Sequence, residues 1–269
     1  MRKIYNYIAF KISSTKLFVF CTILVIYQFS LLINLISKPL PYNIYDFILE
    51  NFSYLSLFFT INLFFLVMIY NIFDKKNFYN YLSIRFSSKQ EIYRGNVFFA
   101  FVFSIGIVLF ITIISILLGS FMSFHNSWSS YFFHQMTGNI NLSYSNEAIK
   151  LIVQKLTPIS FVFITSLFTA LYLFFIAMFF IVCNIIFKKR VVSLILVILL
   201  NALSKAFDSF GTIAKFSFSK NIYIVTSSAY EVTNNTYILF RLAYWIILII
   251  LMYFIGNILT KKKDCSYGD

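Results

Sequence analysis

Six stretches of this chain, 17–36, 53–73, 97–118, 159–187, 191–207 and 239–259, are apolar for at least seventeen residues each. The first four contain no charged residue at all. An α-helix crosses a hydrocarbon layer of about 30 Å in about 20 residues. It is one of only two structures that satisfy their own backbone hydrogen bonds there. The pattern therefore predicts an all-α polytopic membrane protein, one transmembrane domain over residues 1–269 with six transmembrane helices. Charged residues make up 12% of the chain, against about 25% in soluble domains, so lipid is the solvent that fits. The first run is too long for the core of a signal peptide and has no small-residue cleavage site before "SKPLPY", so it is read as a span.

The net charge of +13 raises the question of nucleic acid. The basic residues form no stripe, however; they gather at the ends of the apolar runs, so no nucleic-acid partner is expected. Four precede the first run, five lie between the second and third, three between the fourth and fifth, and three follow the sixth. By the positive-inside rule these segments face the cytoplasm, which places both termini there. Cys21 and Cys183 fall inside runs and Cys265 in the basic tail, so no disulfide framework is implied.

Three connections carry more than topology. Residues 2–14, "RKIYNYIAFKISS", place Ile4, Tyr5, Ile8, Ala9 and Ile12 on one face, as an amphipathic helix lying at the cytoplasmic interface would. Residues 74–96, "DKKNFYNYLSIRFSSKQEIYRGN", hold five of the 22 basic residues. There Phe78, Tyr81 and Leu82 share a side of a short helix. Ser88 and Glu91 fit a capping box that starts a second helix through Arg94 into the third span. On the outer side, "SNEAIKLIVQKL" predicts a short helix capped by Asn146, with Ile149, Ile152, Val153 and Leu156 on one side. Residues 208–238 read either as a plain outer loop or as short re-entrant helices before the sixth span.

Some chemistry is missing from the sequence. No G-x-x-x-x-G-K-[ST] loop occurs, so any ATP used by an assembly is hydrolysed on another chain. His125 and His134, both in an outer segment, read as surface histidines, and no catalytic residue, cofactor site or metal site is expected. Lys205 and Arg241 are the ionisable residues within runs. Each sits near the outer end of its helix, where long basic side chains reach the headgroups. As a pair they are also a candidate anion gate for substrate exit.

This layout resembles the membrane (permease) subunit of ATP-binding-cassette (ABC) transporters of the type-2 exporter family. The resemblance covers nearly the whole chain, in organisation more than in letters, and is nearest in "LSIRFSSKQEIYRGN". It implies an N-terminal elbow helix, a cytoplasmic coupling helix between spans two and three, and re-entrant helices after a short fifth span. Phe78, Tyr81, Leu82, Arg85, Ser88, Glu91 and Arg94 would then form the contact to cytoplasmic ATPase subunits that carry the ATP and Mg. A second membrane subunit, identical or related, would complete the translocation path in a bacterial plasma membrane. The expected cargo is apolar or amphipathic, of the peptide class, because no charge lines the middle of the first four spans. Two alternatives stand beside this reading: a non-transporting membrane scaffold or sensor, and an ion-coupled carrier.

Overall fold

A computed structural model describes residues 15–72, 88–138, 146–210, 213–234 and 236–262. The expected elbow helix over 2–14 lies outside the described residues. So do Phe78, Tyr81, Leu82 and Arg85 of the expected coupling helix. Among the described residues every regular element is helical. Five helices are long and apolar enough to cross a membrane, or six if a bent pair over 44–70 counts as one span.

The long helices are α1 (Thr15–Ile36), α4 (Lys89–Leu118), α7 (Pro158–Phe187), α8 (Arg190–Phe207) and α11 (Thr236–Lys262). Two of them, α4 and α7, begin at a side-chain cap. Ser88 adopts an extended conformation and its hydroxyl accepts from the Glu91 amide at 3.2 Å, opening α4. Thr157 does the same for Ser160 at 3.4 Å, with Pro158 in the first turn of α7. The turn from α7 to α8 is only two residues long. Lys188 takes a left-handed conformation at φ 54° and Lys189 an extended one, so the chain reverses at once. Left-handed backbone costs a non-glycine residue about 1–2 kcal/mol. The Arg190 guanidinium lies 5.7 Å from the Tyr70 ring and joins the inner end of α8 to the second crossing.

Helix α7 is the central post. It packs against α4, α8 and α11, and buries Phe168, Tyr172, Leu173, Ile176 and Phe180. The outward faces of α1, α8 and α11 carry Phe18, Ile26, Leu199, Leu203, Ile247 and Phe254, all exposed. Lipid tails are as apolar as these side chains, so burial from water does not hold such helices together. Close packing and interhelical hydrogen bonds do, at about 0.6 kcal/mol per bond. Gln28 donates to the Ile111 carbonyl at 3.2 Å and ties α1 to α4. Tyr172 donates to Asn201 at 2.8 Å and ties α7 to α8.

The run read as a span over 53–73 is helical from 54 to 72, with a π-helical turn (Ser56–Ile61) leading into α3 (Asn62–Ile72). Just before it lies a helix that the sequence reading did not include, α2 (Ile44–Asn51), and the two meet at a bend of 48°; counted as one span they form the second crossing. No glycine or proline makes this break. Short polar side chains do, by competing for backbone groups. Asn51 donates to the Phe47 carbonyl at 2.9 Å and Ser56 to the Glu50 carbonyl at 3.0 Å. Two distant tyrosines complete the bonding: Tyr27 donates to Ser56 at 2.9 Å and Tyr223 to the Phe52 carbonyl at 2.9 Å. Helix α2 itself lies in the bundle, with Phe47 and Phe52 fully buried. It presses so closely on the end of α4 that a Cβ at Gly119 would fall 2.4 Å from Ile44 Cδ1.

Between α4 and α7 come α5 (Ser130–Gly138) and α6 (Asn146–Lys155), which form a lid over that end of the bundle. Helix α6 buries Ala148, Ile149 and Ile152, with Val153 and Leu156 partly buried beside them. Asn146 is its first helical residue rather than the residue before it.

Candidate functional site

Two places carry the chemistry that matters, one at the start of α4 and one at the opposite end of the bundle, where α8 ends and α11 begins. At the base, Ser88 and Arg94 are exposed and Glu91 half-exposed. The Ser88 half of the expected capping box is formed. The reciprocal bond, from the Ser88 amide to the Glu91 carboxylate, is absent at this cap, whereas both halves are made at Asn43–Asp46 and Ser228–Glu231. The helix start is therefore correct, and the reciprocal part of the box is a correction. A single side-chain acceptor is enough to begin α4.

Between Glu91 and Arg94 the chain turns Tyr93 inward, where it is 1% exposed. Its hydroxyl donates to the carbonyls of Met252 and Tyr253 on α11, at 3.3 and 3.2 Å. The ring rests on Gly256, where an added Cβ would stand 2.2 Å from the Tyr93 hydroxyl and 2.5 Å from Cζ. Sequence reasoning missed this joint. A lone glycine in an apolar run signals close approach of something, but nothing local says that a tyrosine 163 positions earlier fills the space.

At the opposite end, the described residues of 208–238 form short helices that pack on the bundle. A 3₁₀ turn (Ile213–Phe216), α9 (Phe218–Ile222), a second 3₁₀ turn (Ile224–Thr226) and α10 (Ala229–Thr233) follow α8 in order. Helix α9 packs against α7, α8 and α11. Phe218 meets Phe175 at 5.5 Å and Trp245 at 5.7 Å between ring centres. Trp245 donates to the Asn221 carbonyl at 3.0 Å, and Tyr244 to the Phe216 carbonyl at 2.8 Å. Tyr244 lies eight residues into α11, about 12 Å below its start by helix rise. The segment thus descends well into the outer half of the bundle.

Lys205 and Arg241 have separate roles in this arrangement. Lys205 pairs with Asp208 at 3.0 Å and lies 4.3 Å over the Tyr54 ring, with its side chain about half exposed. Arg241 does not reach outward as expected. It is 6% exposed, and it donates to the Lys220 carbonyl at 2.9 Å, the Tyr237 carbonyl at 2.8 Å and the Thr226 hydroxyl at 3.4 Å. The reason is that the re-entrant backbone offers free carbonyls at that depth, and a planar fork of donors satisfies several at once. Asp208 is the electrostatic counterpart. Burial disfavours its charge, but the hydroxyls of Ser217 and Ser219 and the Lys205 ammonium outweigh burial and hold the carboxyl below its ordinary value. Ser219 donates to Asp208 at 2.6 Å and the Phe218 amide donates to Ser204 at 2.7 Å, so the re-entrant segment is fastened at its first turn.

A second polar cluster sits under the lid. Lys38 donates to the Tyr131 hydroxyl at 2.8 Å, and Tyr131 donates to Glu50 at 3.2 Å. Burial, then the neighbouring Glu50 charge, pushes the Tyr131 phenol well above its ordinary range. It stays protonated and serves as a fixed relay between a lysine and a carboxylate.

In comparisons with known proteins, an uncharacterized protein of Halalkalibacterium halodurans is 26% identical over 250 residues, spanning 90% of this chain and 86% of that protein. No protein-family model matches the chain. No solved structure matches it. The bundle, with its capped α4 and re-entrant outer segment, has a relative of like length whose own role is unassigned.

Proposed function

We propose that this chain is the permease subunit of an ATP-driven exporter of the ABC type-2 class, a six-span protein of a bacterial plasma membrane with both termini in the cytoplasm. It pairs with a second membrane subunit and takes its work from cytoplasmic ATPase subunits that bind the 74–96 connection. The cargo class is apolar or amphipathic, with peptides foremost. The observation that carries this reading is the end of the bundle where a short crossing, α8, leads into two short helices, α9 wedged against α7, α8 and α11, and α10 against α6 and α11. Such a wedge is of little use to a passive scaffold. It gives an exporter an outer constriction built on the last crossing. The cytoplasmic end supports the same reading, because α4 rises directly from a capped start at Ser88 beside the aromatic and basic connection.

The test is purification of the intact assembly. A chain bearing a phosphate-binding loop is expected to co-purify. The double substitution Tyr81→Asp and Leu82→Asp is expected to release it and abolish ATP hydrolysis linked to the membrane subunit. Retention of both association and hydrolysis in that variant would sink the docking assignment.

The ion-coupled carrier gains one observation, the broken helix of the second crossing, since discontinuous helices are where carriers place ions. Its carboxylates are already engaged by protein groups, however. Asp46 caps the start of α2 with Asn43, and Glu50 is engaged by Tyr131. Transport driven by a proton or sodium gradient with no ATP requirement would favour the carrier instead.

A further inference from the structure

We propose that Tyr93 is a positioning residue that couples the base of α4 to α11, so that a push on the cytoplasmic connection reaches the outer re-entrant segment through α11. The proposal rests on the exporter reading above and names the internal path that reading requires.

The joint resists motion in two directions. Sideways, the ring fills a notch that exists only because residue 256 is glycine. Along the axis, the hydroxyl bridges two consecutive carbonyls, those of Met252 and Tyr253. Elsewhere α4 meets α1 through the Gln28 bond to the Ile111 carbonyl and other neighbours through rings, such as Phe103 against Phe65 at 5.7 Å and Phe101 against Phe174 at 5.4 Å. Ring faces and edges hold helices together but have little directional preference along an axis. A hydroxyl anchored to two backbone oxygens beside a glycine notch does.

The path continues upward without a gap. Helix α11 carries Trp245 and Arg241, which donate to the carbonyls of Asn221 and Lys220 at the end of α9. Ser219, within α9, donates to Asp208 at the end of α8, and Asp208 pairs with Lys205. The chain of contacts therefore runs from the base of α4, through Tyr93 and α11, to the outermost turn of the bundle. It has the physical continuity that coupling between distant sites uses.

The experiment uses the full chain co-purified with its ATPase chain and reconstituted in lipid. A single spin label is placed at Phe210→Cys, an exposed position on the re-entrant segment, after replacement of Cys21, Cys183 and Cys265. In the otherwise unaltered chain, ATP with vanadate is expected to change the label's spectrum. Tyr93→Phe, which keeps the ring and loses only the hydroxyl, is expected to cut the nucleotide-induced population by about fivefold, the shift that one lost hydrogen bond produces. Gly256→Ala, which expels the ring, is expected to remove the response, and adding Tyr93→Leu to make room is expected to restore packing without restoring it. Co-purification and the Tm of Tyr93→Phe are expected to stay unchanged, which separates positioning from folding. If Tyr93→Phe fails to fold, Gly256→Ala carries the same comparison. A full response in an assembled Tyr93→Phe or Gly256→Ala variant overturns the proposal, as does an unaltered complex whose label ignores nucleotide. If no phosphate-loop chain co-purifies with the unaltered protein, the exporter reading itself has failed, a separate and recognisable result.

Discussion

Arg241 shows how one residue can organise an irregular segment. A buried guanidinium is costly unless its donors are met. Here three of them are met by oxygens of the segment after α8 and of its own helix. Removing it leaves the Lys220 carbonyl without that donor and opens a hole beside Trp245. Arg241→Ala is therefore expected to destabilise the fold by about 3 kcal/mol, read as a lower Tm in detergent, with Arg241→Lys losing less. Unchanged stability in Arg241→Ala would return the residue to the gate role that its position in the sequence first suggested. The sequence disclosed a basic residue eighteen places from the last apolar residue of its run, near the outer end. It could not disclose that free carbonyls wait there, because those belong to residues whose fold depends on α7, α8 and α11 together. Tyr93 is the same lesson at the other end: one of nineteen tyrosines by composition, and distinct only through Gly256.

At the scale of elements, helix boundaries followed local chemistry closely. The starts at Ser88 and Pro158, the shortness of α8 and the amphipathic α6 could all be read from neighbouring residues. The break in the second crossing could not. Serine and asparagine occur within many apolar runs, and what makes them decisive here is hydrogen bonding from Tyr27 and Tyr223, one in the preceding helix and one far along the chain. The re-entrant segment is an element with a pH dependence of definite sign. The folded-state pKa of Asp208 lies below its ordinary value, so its charge stabilises the fold above the unfolded value of about 4 and ceases to do so as the pH falls through the lowered folded value. Acidification across that window is expected to loosen residues 208–222 before the long helices, seen as faster backbone hydrogen exchange there. Asp208→Asn is expected to abolish the pH step. A step that survives Asp208→Asn would assign it to another group.

For the whole molecule, hydropathy and charge distribution made the class legible at once, because the cost of leaving backbone groups unsatisfied in lipid allows so few solutions. The orientation follows from the same charges and is open to direct measurement. A membrane-impermeant thiol reagent is expected to label Ser209→Cys in intact cells and Lys261→Cys only after the membrane is opened; the reverse pattern would invert the protein. The arrangement of the helices around α7 was less legible, since runs that are apolar on all sides do not announce which face meets protein. The π-helical turn at Ser56–Ile61 has a consequence for that arrangement. It holds a surplus residue: the Asn62 amide reaches back five places to Leu57 instead of four. Rewinding it would rotate everything below by about 100°, one residue's worth of helix, and swing Phe65 and Ile69 away from the interior they now fill. Which side of α3 looks inward is thus decided at a widened coil just ahead of it, before the helix makes its first ordinary turn.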